Sequence, residues 1–426
     1  MLMNSPEPAT PQTICQPLPE SDYKAFAVIA VRAYAGMRPQ TPEALARYVE
    51  RLRCTQAEDP IATVYGAYRN GVLQGGMILY DFEMQMFSTR VLVGGVGSVA
   101  VDLLHRKEKL ARDMLAFALA HYDEKNALLM ALYPFRPDFY LRMGFGYGAK
   151  MYQYHVRPDA LPDGGSKAHL RHLTPEDKAA VQDCYDRYMA QTHGMMTRRM
   201  GDMDQLFAPG VVTVGHEAEG ALQGYMAFTF ERPPGASHLK HRIVVREMVT
   251  LRREALAELL TYLRTQADQV YEIVFNTQDD YFHHLLSDPR NGTDVLISGY
   301  HESHMAGVGL MVRALNVPRI FEALAGHDFG GVTCTLGITL TDSFYPRNAG
   351  RTVVRFTNGR PQVLPDGEAG VTITLDVAAF SSLVMGVVPF RRLYTYGQAA
   401  ISNAADVPLV DRLFRAEEKP VCLTGF

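Results

Sequence analysis

A basic turn between an apolar strand and a helix is the best candidate anion site in this sequence. The apolar residues Val99 and Val101 come first, the basic run at 105–107 follows, and a helix begins near Leu110. The first turn of a helix has free N–H groups that hold phosphate well. This order predicts a site for a pyrophosphate. The alternative is an ordinary amphipathic helix with a basic first turn, since short motifs of this kind also occur by chance.

Two segments of similar sequence indicate that the fold around this turn occurs twice. Residues 65–81 and 214–230 share glycines, a Leu-Gln-Gly run and a methionine in the same order. Each segment predicts two strands joined at a glycine turn, and an amphipathic helix precedes each, at 23–37 and 179–189. The sequence therefore predicts a duplicated domain, with residues 157–168 as the linker.

After the Pro-Arg-Asn-Gly run at 289–292 the pattern changes. Apolar residues alternate strictly from Val332 to Leu340, and Asn358-Gly359 is a hairpin turn signal. A further alternating strand spans 371–375. Two helical segments are predicted beside these strands, at 378–385 and 399–403. The sequence therefore predicts a third domain, made of an antiparallel sheet with helices on one side.

These patterns divide the 426 residues into three domains. The predicted domains are 1–156, 157–292 and 293–426, and their sizes agree with the usual range of about 100–200 residues. The predicted fold class is α+β, with α/β mixed sheets in the duplicated domains.

Composition and charge exclude several classes of protein. Forty-two Lys and Arg residues against 46 Asp and Glu residues give a net charge of −4 without a long run of one sign, so neither nucleic acid nor membrane is expected as a partner. Five scattered cysteines without a C-x-x-C pair are typical of reduced thiols, and the N-terminal residues lack the pattern of a secretory signal. No apolar run reaches the roughly 18 residues of a membrane span. We therefore expect a cytoplasmic protein whose partners are small molecules or further copies of the chain.

Two motifs in the first domain resemble those of the GNAT superfamily of N-acetyltransferases. The run RKEKLA at 106–111 resembles the R-x-x-G-x-A turn that binds coenzyme A, with Lys109 in place of glycine. The run DFYLRMGFGY at 138–147 resembles the F-Y-x-x-x-G-F element that follows the cofactor helix. The resemblance implies that Tyr140 is the general acid that protonates the leaving thiolate, and the alternative is a tyrosine packed beneath the sheet. It implies the following acetyl-CoA-binding residues: Val99, Ala100, Val101, Arg106, Lys107, Lys109, Leu110 and Ala111.

Two GNAT domains and a sterol-carrier-like α+β tail together resemble the enhanced intracellular survival family of acetyltransferases. In that family the final carboxylate of the chain enters the active site of the first domain and acts as the base, which implies this role for Phe426. Docking of the apolar C-terminal segment without catalysis is the alternative. Family members that modify polycationic aminoglycosides have an acidic residue before the terminal phenylalanine, whereas this chain has Gly425. The resemblance also implies a homo-oligomer, a hexamer.

The resemblance implies an acetyl-CoA-dependent N-acetyltransferase. Its acetyl group would pass directly to a primary amine of a small molecule or to a lysine side chain. Only the first GNAT domain is expected to be catalytic, because no F-Y-x-x-x-G-F element follows the Arg252-Arg253 turn of the second. The alternative is a non-catalytic protein derived from a GNAT enzyme, which senses acyl-CoA or binds lipid.

No metal site is predicted. The run HESH at 301–304 has the wrong spacing for the H-E-x-x-H zinc helix, and the adjacent His283 and His284 cannot face one ion from a regular helix. The glycines at 94–97 do not form a G-x-G-x-x-G turn, so a dinucleotide site is not expected either.

Overall fold

Two seven-stranded sheets and one five-stranded sheet organise the part of the chain that this computed structural model describes. That part comprises residues 12–36, 40–233, 235, 240–293 and 296–426. Most of the polar start of the chain, at 1–11, and the predicted end of the first helix at Met37 lie outside it. The sheets and their helices confirm the predicted α+β fold class with mixed sheets.

The first sheet is formed mainly by the N-terminal third of the chain. In spatial order its strands are β1 (Ile14–Pro17), β2 (Ala62–Arg69), β3 (Val72–Met86), β4 (Thr89–Val101), β5 (Leu129–Leu132), β16 (Met311–Ala314) and β6 (Gly146–Tyr147). Its helices are α1 (Tyr23–Ala33), α2 (Pro42–Glu58), α3 (Leu110–Glu124) and α4 (Pro137–Arg142). All neighbouring strands are antiparallel except β4 and β5, which are parallel and joined through α3.

Helices cover both faces of the first sheet. Met77 and Ile78 are adjacent on β3, so their side chains point to opposite faces. Ile78 belongs to the same buried apolar cluster as Phe26 of α1, and Met77 to the same cluster as Met114 of α3. The α3 face therefore lies directly beside the basic turn that precedes this helix.

The second sheet repeats this design. In spatial order its strands are β15 (His304–Val308), β7 (Lys150–Val156), β12 (Val270–Thr277), β11 (His241–Thr250), β10 (Ala221–Glu231), β9 (Val211–Ala218) and β8 (Leu170–His172). Its helices are α5 (Lys178–Gln191), α6 (Asp202–Gln205) and α7 (Arg253–Arg264). A separate pair of short strands, β13 (Leu296–Ile297) and β14 (Tyr300–His301), precedes β15.

The predicted glycine turns join β2 to β3 and β9 to β10. The central residues Asn70 and Gly71 have φ of 50° and 76°, and Glu219 and Gly220 have φ of 57° and 76°. Positive φ at both central positions is the type I′ turn, whose twist suits a tight hairpin. The repeated sequence pattern thus corresponds to a repeated hairpin.

The third sheet lies in the C-terminal quarter of the chain. In spatial order its strands are β19 (Arg360–Leu364), β18 (Gly350–Thr357), β17 (Cys334–Thr341), β20 (Val371–Asp376) and β21 (Ala399–Ile401). The accompanying helices are α8 (Val317–Ala323), α9 (Val377–Val384), α10 (Phe390–Thr395) and α11 (Val407–Leu413). None of the described helices has both the length and the apolar composition needed to cross a membrane.

Two predictions for this third domain are wrong. The sheet is mixed rather than antiparallel, because β17 and β20 pair in parallel. The helix predicted at 399–403 is instead strand β21, in which Ala399 pairs with Leu375 of β20. The edge of β20 offers backbone hydrogen bonds along this segment, and that pairing outweighs the helix preference of two alanines in so short a stretch.

Some strands belong to a different sheet from the one that the predicted domain boundaries at 156 and 292 assign them to. β7 follows the first sheet in sequence, yet it pairs with β12 and β15 in the second. β16 lies far along the chain, yet it pairs with β5 and β6 in the first sheet. The sheets are therefore built from strands that are not contiguous in sequence.

Candidate active site

A gap in the first sheet opens where β4 and β5 part. The parallel pairing of the two strands covers only Val93–Gly95 of β4, against Leu129–Ala131 of β5. β4 continues to Val101 and pairs there with β3 alone among the described strands. Its ladder with β3 shifts register next to Ser98, which has a φ of 51°. Such a bulge bends the strand and leaves backbone groups available to a ligand.

The basic turn at 106–111 keeps the backbone shape of a glycine turn although it contains no glycine. Lys109 is the N-cap of α3 and has φ 66° and ψ 6°, in the left-handed region. Lys107 has a φ of 67°. A residue with a Cβ pays about 1–2 kcal/mol for this conformation. Lys109 therefore adopts the conformation that glycine favours, and it adds an ammonium group beside the helix N-terminus.

A buried arginine holds this turn in place through hydrogen bonds. The Arg69 side chain is 1% exposed at the end of β2. It donates hydrogen bonds to the Glu108 carbonyl at 3.0 Å and to the Asp113 carboxylate at 2.9 Å. Asp113 belongs to the first turn of α3, so one guanidinium ties the turn to the helix. The sequence analysis missed Arg69, because nothing in the sequence places the end of β2 next to residue 108.

An open groove of about 890 Å³ lies over the turn and the start of α3. Six residues named by the sequence analysis line it: Val101, Arg106, Lys107, Lys109, Leu110 and Ala111. Val99 and Ala100 precede them on β4. Arg112 and Arg142 line the groove as well, and the resulting positive charge suits phosphate groups. The donors, the helix N-terminus and the groove fit a coenzyme A pyrophosphate.

Tyr140 lies on α4 and is not among the residues that line this groove. It is 8% exposed, and burial, followed by the nearby Tyr34 hydroxyl, raises the pKa of Tyr140. Its hydroxyl is therefore protonated at neutral pH. Tyr34 in turn donates a 2.7 Å hydrogen bond to the Val99 carbonyl. Tyr34 therefore connects Tyr140 with β4. The sequence analysis missed Tyr34, because it lies near the end of a predicted helix that is far from both in sequence.

The C-terminal residue reaches the gap between β4 and β5. The Phe426 ring contacts three aromatic rings, those of Tyr80, Phe82 and Tyr133, with centroids 5.7, 4.9 and 5.4 Å away. Its carboxylate carbon lies so close to Gly97 of β4 that a Cβ added there would be 3.1 Å from it. The ring anchors the terminus, and the carboxylate lies next to the strand at the point where β5 has diverged.

The residues before Phe426 are held along their path. The Cys422 N–H donates to Gln278 at 2.6 Å, and the Thr424 hydroxyl lies 3.0 Å from the Tyr185 hydroxyl. Tyr133 donates to the Thr424 carbonyl at 3.0 Å. Tyr185 and Gln278 belong to the second domain and Tyr133 to the first. The terminal segment is thus fixed between the two GNAT-like units, and not frayed as chain ends commonly are.

A second cavity, of about 1020 Å³, lies between this segment and the second sheet. It is lined by Leu423–Gly425 and by charged residues of both signs. The charged residues of its wall are Arg198, Arg199, Asp202, Arg246 and Glu247. Arg198 forms an ion pair with Glu247, and Arg199 forms one with Asp202 at 2.7 Å. This cavity has mixed charge and was not predicted, because its residues belong to separate segments.

The equivalent turn of the second domain differs from the first. Arg252, the N-cap of α7, has a φ of −135° and extended backbone, unlike Lys109. Its guanidinium forms an ion pair with Glu219 at 2.7 Å. An extended cap whose cation is already paired is poorly suited to hold a pyrophosphate.

Models of known families match the chain in three consecutive parts. Residues 15–148 and residues 190–313 each match an acetyltransferase (GNAT) domain. Residues 317–423 match a sterol carrier protein domain. The order is the one inferred from the sequence motifs and from the two similar sheets.

Similar proteins align with this chain over most of its length and most of their own. An uncharacterized N-acetyltransferase of Streptomyces griseus is 24% identical over 382 residues, which cover 83% of this chain and 88% of that protein. A GCN5-related N-acetyltransferase from Anabaena variabilis has 18% identity and a TM-score of 0.81, covering 97% of this chain and 100% of its own. Eis1 from Mycobacterium abscessus has 20% identity and a TM-score of 0.75, with the same coverage. Identities this low show a shared fold.

The motifs, the two related sheets and the family matches agree on one assignment. This chain is an acyltransferase that contains two GNAT acetyltransferase domains followed by a sterol carrier protein domain, and it resembles the enhanced intracellular survival acetyltransferases in architecture.

Proposed function

We propose that this protein transfers an acetyl group from acetyl-CoA directly to a primary amine, on a small molecule or on a lysine side chain. The observation that carries the proposal is the position of the Phe426 carboxylate against Gly97, at the gap between β4 and β5. A base at the end of β4 and a basic groove around the start of α3 are what an acetyl transfer at this gap requires.

The residues at 106–111 and the N-terminus of α3 bind the pyrophosphate in this proposal. Arg106, Lys107 and Lys109 supply positive charge, and the free N–H groups of the first helical turn donate hydrogen bonds. The backbone of Val99, Ala100 and Val101 holds the pantetheine arm and polarises the thioester carbonyl. The lining of the groove by the turn and by Val101 supports this arrangement.

The Phe426 carboxylate is the base and Tyr140 the acid. The carboxylate accepts a proton from the acceptor ammonium, and the free amine attacks the thioester carbon. The carbon–sulfur bond then breaks, and Tyr140 gives its proton to the leaving thiolate. The attacking nitrogen loses its second proton to solvent as the amide forms, and Tyr140 and the Phe426 carboxylate return to their starting protonation states by exchange with solvent. The acetyl group passes directly from sulfur to nitrogen, so no covalent enzyme intermediate forms. The raised pKa of Tyr140 keeps its hydroxyl protonated before the reaction, which a general acid requires.

The acceptor enters through the mixed-charge cavity beside Leu423–Gly425 in this proposal. Its wall has three arginines against two carboxylates, so it lacks the excess of acidic groups that would hold a polycation such as an aminoglycoside, and it favours an acceptor with a single amine. Gly425, in place of an acidic residue, points in the same direction. The assembly expected from the family resemblance is a hexamer in the cytoplasm, and light scattering of the purified protein measures its size.

The decisive experiment measures thiol release from acetyl-CoA across a panel of primary amines, together with calorimetry of acetyl-CoA binding. Deletion of Phe426 lowers kcat by about 100-fold or more, in the range of general-base effects, while the Kd for acetyl-CoA changes little. Extension of the chain by one alanine is the matched control: it keeps the Phe426 ring and displaces only the carboxylate, so it loses as much activity.

The outcomes separate the parts of the proposal. Normal turnover by the shortened chain would show that Phe426 is not the base. Absence of acetyl-CoA binding by the native chain at sub-millimolar concentration would overturn the proposed activity and leave a non-catalytic GNAT relative. Preference for polycationic acceptors would contradict the cavity assignment alone.

A further inference from the structure

Two imidazoles and a carboxylate meet in the second GNAT domain, away from the candidate active site. They belong to His169, His216 and Glu258, and one potential ligand atom from each lies within 4.8 Å of the other two. His169 precedes β8, His216 lies on β9 and Glu258 on α7. Three separate segments thus direct ligating side chains to one point.

His216 is buried and incompletely satisfied. It is 3% exposed, and its Nδ1 has no hydrogen-bond partner within the described residues. A buried polar nitrogen in this state is rare and costly in a native protein. Its ring centroid lies 5.3 Å from that of His169. The unpaired nitrogen indicates that a group outside this chain completes the cluster.

Glu258 supplies a buried negative charge to the same cluster. It is 6% exposed, and it accepts a hydrogen bond from the His169 backbone N–H at 3.0 Å. Its other oxygen lies 2.9 Å from His169 Nδ1. Two ligands of a tetrahedral Zn²⁺ ion, with bonds of about 2.0–2.2 Å, lie about 3.3 Å apart. A small outward movement of these two side chains therefore makes room for an ion between them.

We propose that His169, His216 and Glu258 bind one first-row divalent cation, for which Zn²⁺ is the probe. Two imidazole nitrogens and one carboxylate oxygen are a ligand set that zinc accepts, with water in the remaining position. His169 is 55% exposed and gives the ion a route of entry. The bound ion clips the end of the interdomain linker to the sheet and to α7. The sequence does not reveal this site, because the spacing of its three ligands matches no metal-binding motif.

Equilibrium dialysis of the full chain against Zn²⁺ tests the site, with Co²⁺ absorption as a report on coordination. The native protein binds one equivalent, and His169→Gln, His216→Gln and Glu258→Gln each raise the Kd by about 100-fold or more. His155→Gln is the matched control, since His155 lies 3.1 Å from Glu272 in the same sheet but no third ligand joins them among the described residues. This control keeps the native affinity.

Stability provides a second readout that does not depend on acetyl transfer. Free Zn²⁺ at 100 times its Kd lowers the unfolding equilibrium constant by about 100-fold, and a chelator reverses the effect. His169→Gln removes an exposed ring and leaves the core intact, so its loss of the Zn²⁺ effect reflects binding. The proposal is overturned if native protein and His169→Gln bind Zn²⁺ equally, or if His155→Gln loses as much affinity as the ligand variants.

Discussion

At the scale of single residues, the lysine at position 109 changes the chemistry of the basic turn more than its shape. Lys109 has a φ of 66°, so the backbone adopts the left-handed conformation that glycine favours. What the substitution adds is a cation on the wall of a groove already rich in arginine and lysine. The cost of that addition is conformational strain, which is measurable.

Lys109→Gly is expected to stabilise the protein by about 1 kcal/mol, because glycine adopts the left-handed region without a Cβ clash. The measurement is urea unfolding of the full chain. Lys109→Ala is the control: it removes the ammonium but keeps the Cβ, and it should bring no gain. Equal gains from both variants would mean that charge, and not backbone strain, governs this position.

Gly97 is the residue on which the terminal carboxylate depends for space. In Gly97→Ala the new Cβ lies 3.1 Å from the carboxylate carbon of Phe426 and from the Tyr80 ring, so the terminus must move. We expect kcat to fall by about tenfold or more, since small displacements of a reacting group are costly. Gly326→Ala is the matched control, because its Cβ meets no described atom within 4 Å and it lies outside the candidate site. Its kcat should stay within about twofold of native; a larger loss would argue against a purely steric effect at Gly97.

At the scale of elements, the end of β2 controls the start of α3 through Arg69. Arg69→Met leaves the Glu108 carbonyl without its donor and is expected to cost about 1–3 kcal/mol of stability. The Kd for acetyl-CoA should rise by about tenfold, which corresponds to about 1.4 kcal/mol of lost positioning. Urea unfolding and calorimetry give the two values.

Arg53→Met is the control for this effect. Arg53 forms ion pairs with Glu20 and Glu50 but is half exposed, so its loss should change the stability little. It should also leave acetyl-CoA binding unchanged. If Arg69→Met also binds acetyl-CoA normally, the turn holds its shape without the buried guanidinium.

Helices and strands whose formation depends on local sequence could be predicted. Strands whose formation or pairing depends on segments distant in sequence could not. The repeated hairpins follow from glycine turns with flanking apolar residues, and α9 follows from a mainly apolar segment. β21 and the parallel pairing of β17 with β20 depend on which strand lies alongside, and no pattern within residues 399–403 reports that. The same applies to β16, whose partner β5 is far away in sequence.

The same distinction between local and distant signals applies to the residues of the candidate site. The turn at 106–111 could be predicted because its residues are contiguous and resemble a known motif. Tyr34, Arg69 and Arg199 could not, since each reaches the site from a separate segment through a tertiary contact. Contiguous binding loops carry a local signal, whereas positioning residues do not.

At the scale of the whole molecule, His193 lies where all three domains meet. Its Nδ1 accepts a hydrogen bond from the Phe87 N–H of the first domain, and its Nε2 lies 3.2 Å from the Met385 carbonyl of the third. Its own carbonyl accepts from the Val421 N–H in the terminal segment. Burial, together with the nearby His327, lowers the pKa of His193 to about 4, although the Met385 carbonyl acts in the opposite direction.

The free energy of unfolding should therefore fall as the pH drops through the window from about 6.5 to about 4. In that window the unfolded chain binds a proton at His193 and the folded chain does not, so acid favours unfolding, by about 3 kcal/mol in total. Urea unfolding at several pH values measures the slope. His193→Gln should flatten it, whereas His172→Gln, which alters an exposed ring, should not. An unchanged slope in His193→Gln would assign the acid sensitivity to other groups.

The insertion of β16 between β5 and β6 affects how this protein folds during its synthesis on the ribosome. The first sheet cannot close until Ala314 has left the exit tunnel, although Tyr147 of β6 is made long before. At about 5–20 residues per second, that delay lasts roughly 10–30 s. Throughout it, the nascent chain exposes the apolar edge of β5, the kind of edge that invites aggregation. Synthesis of this protein should accordingly depend on chaperones that hold nascent chains, even though the finished fold hides that edge completely.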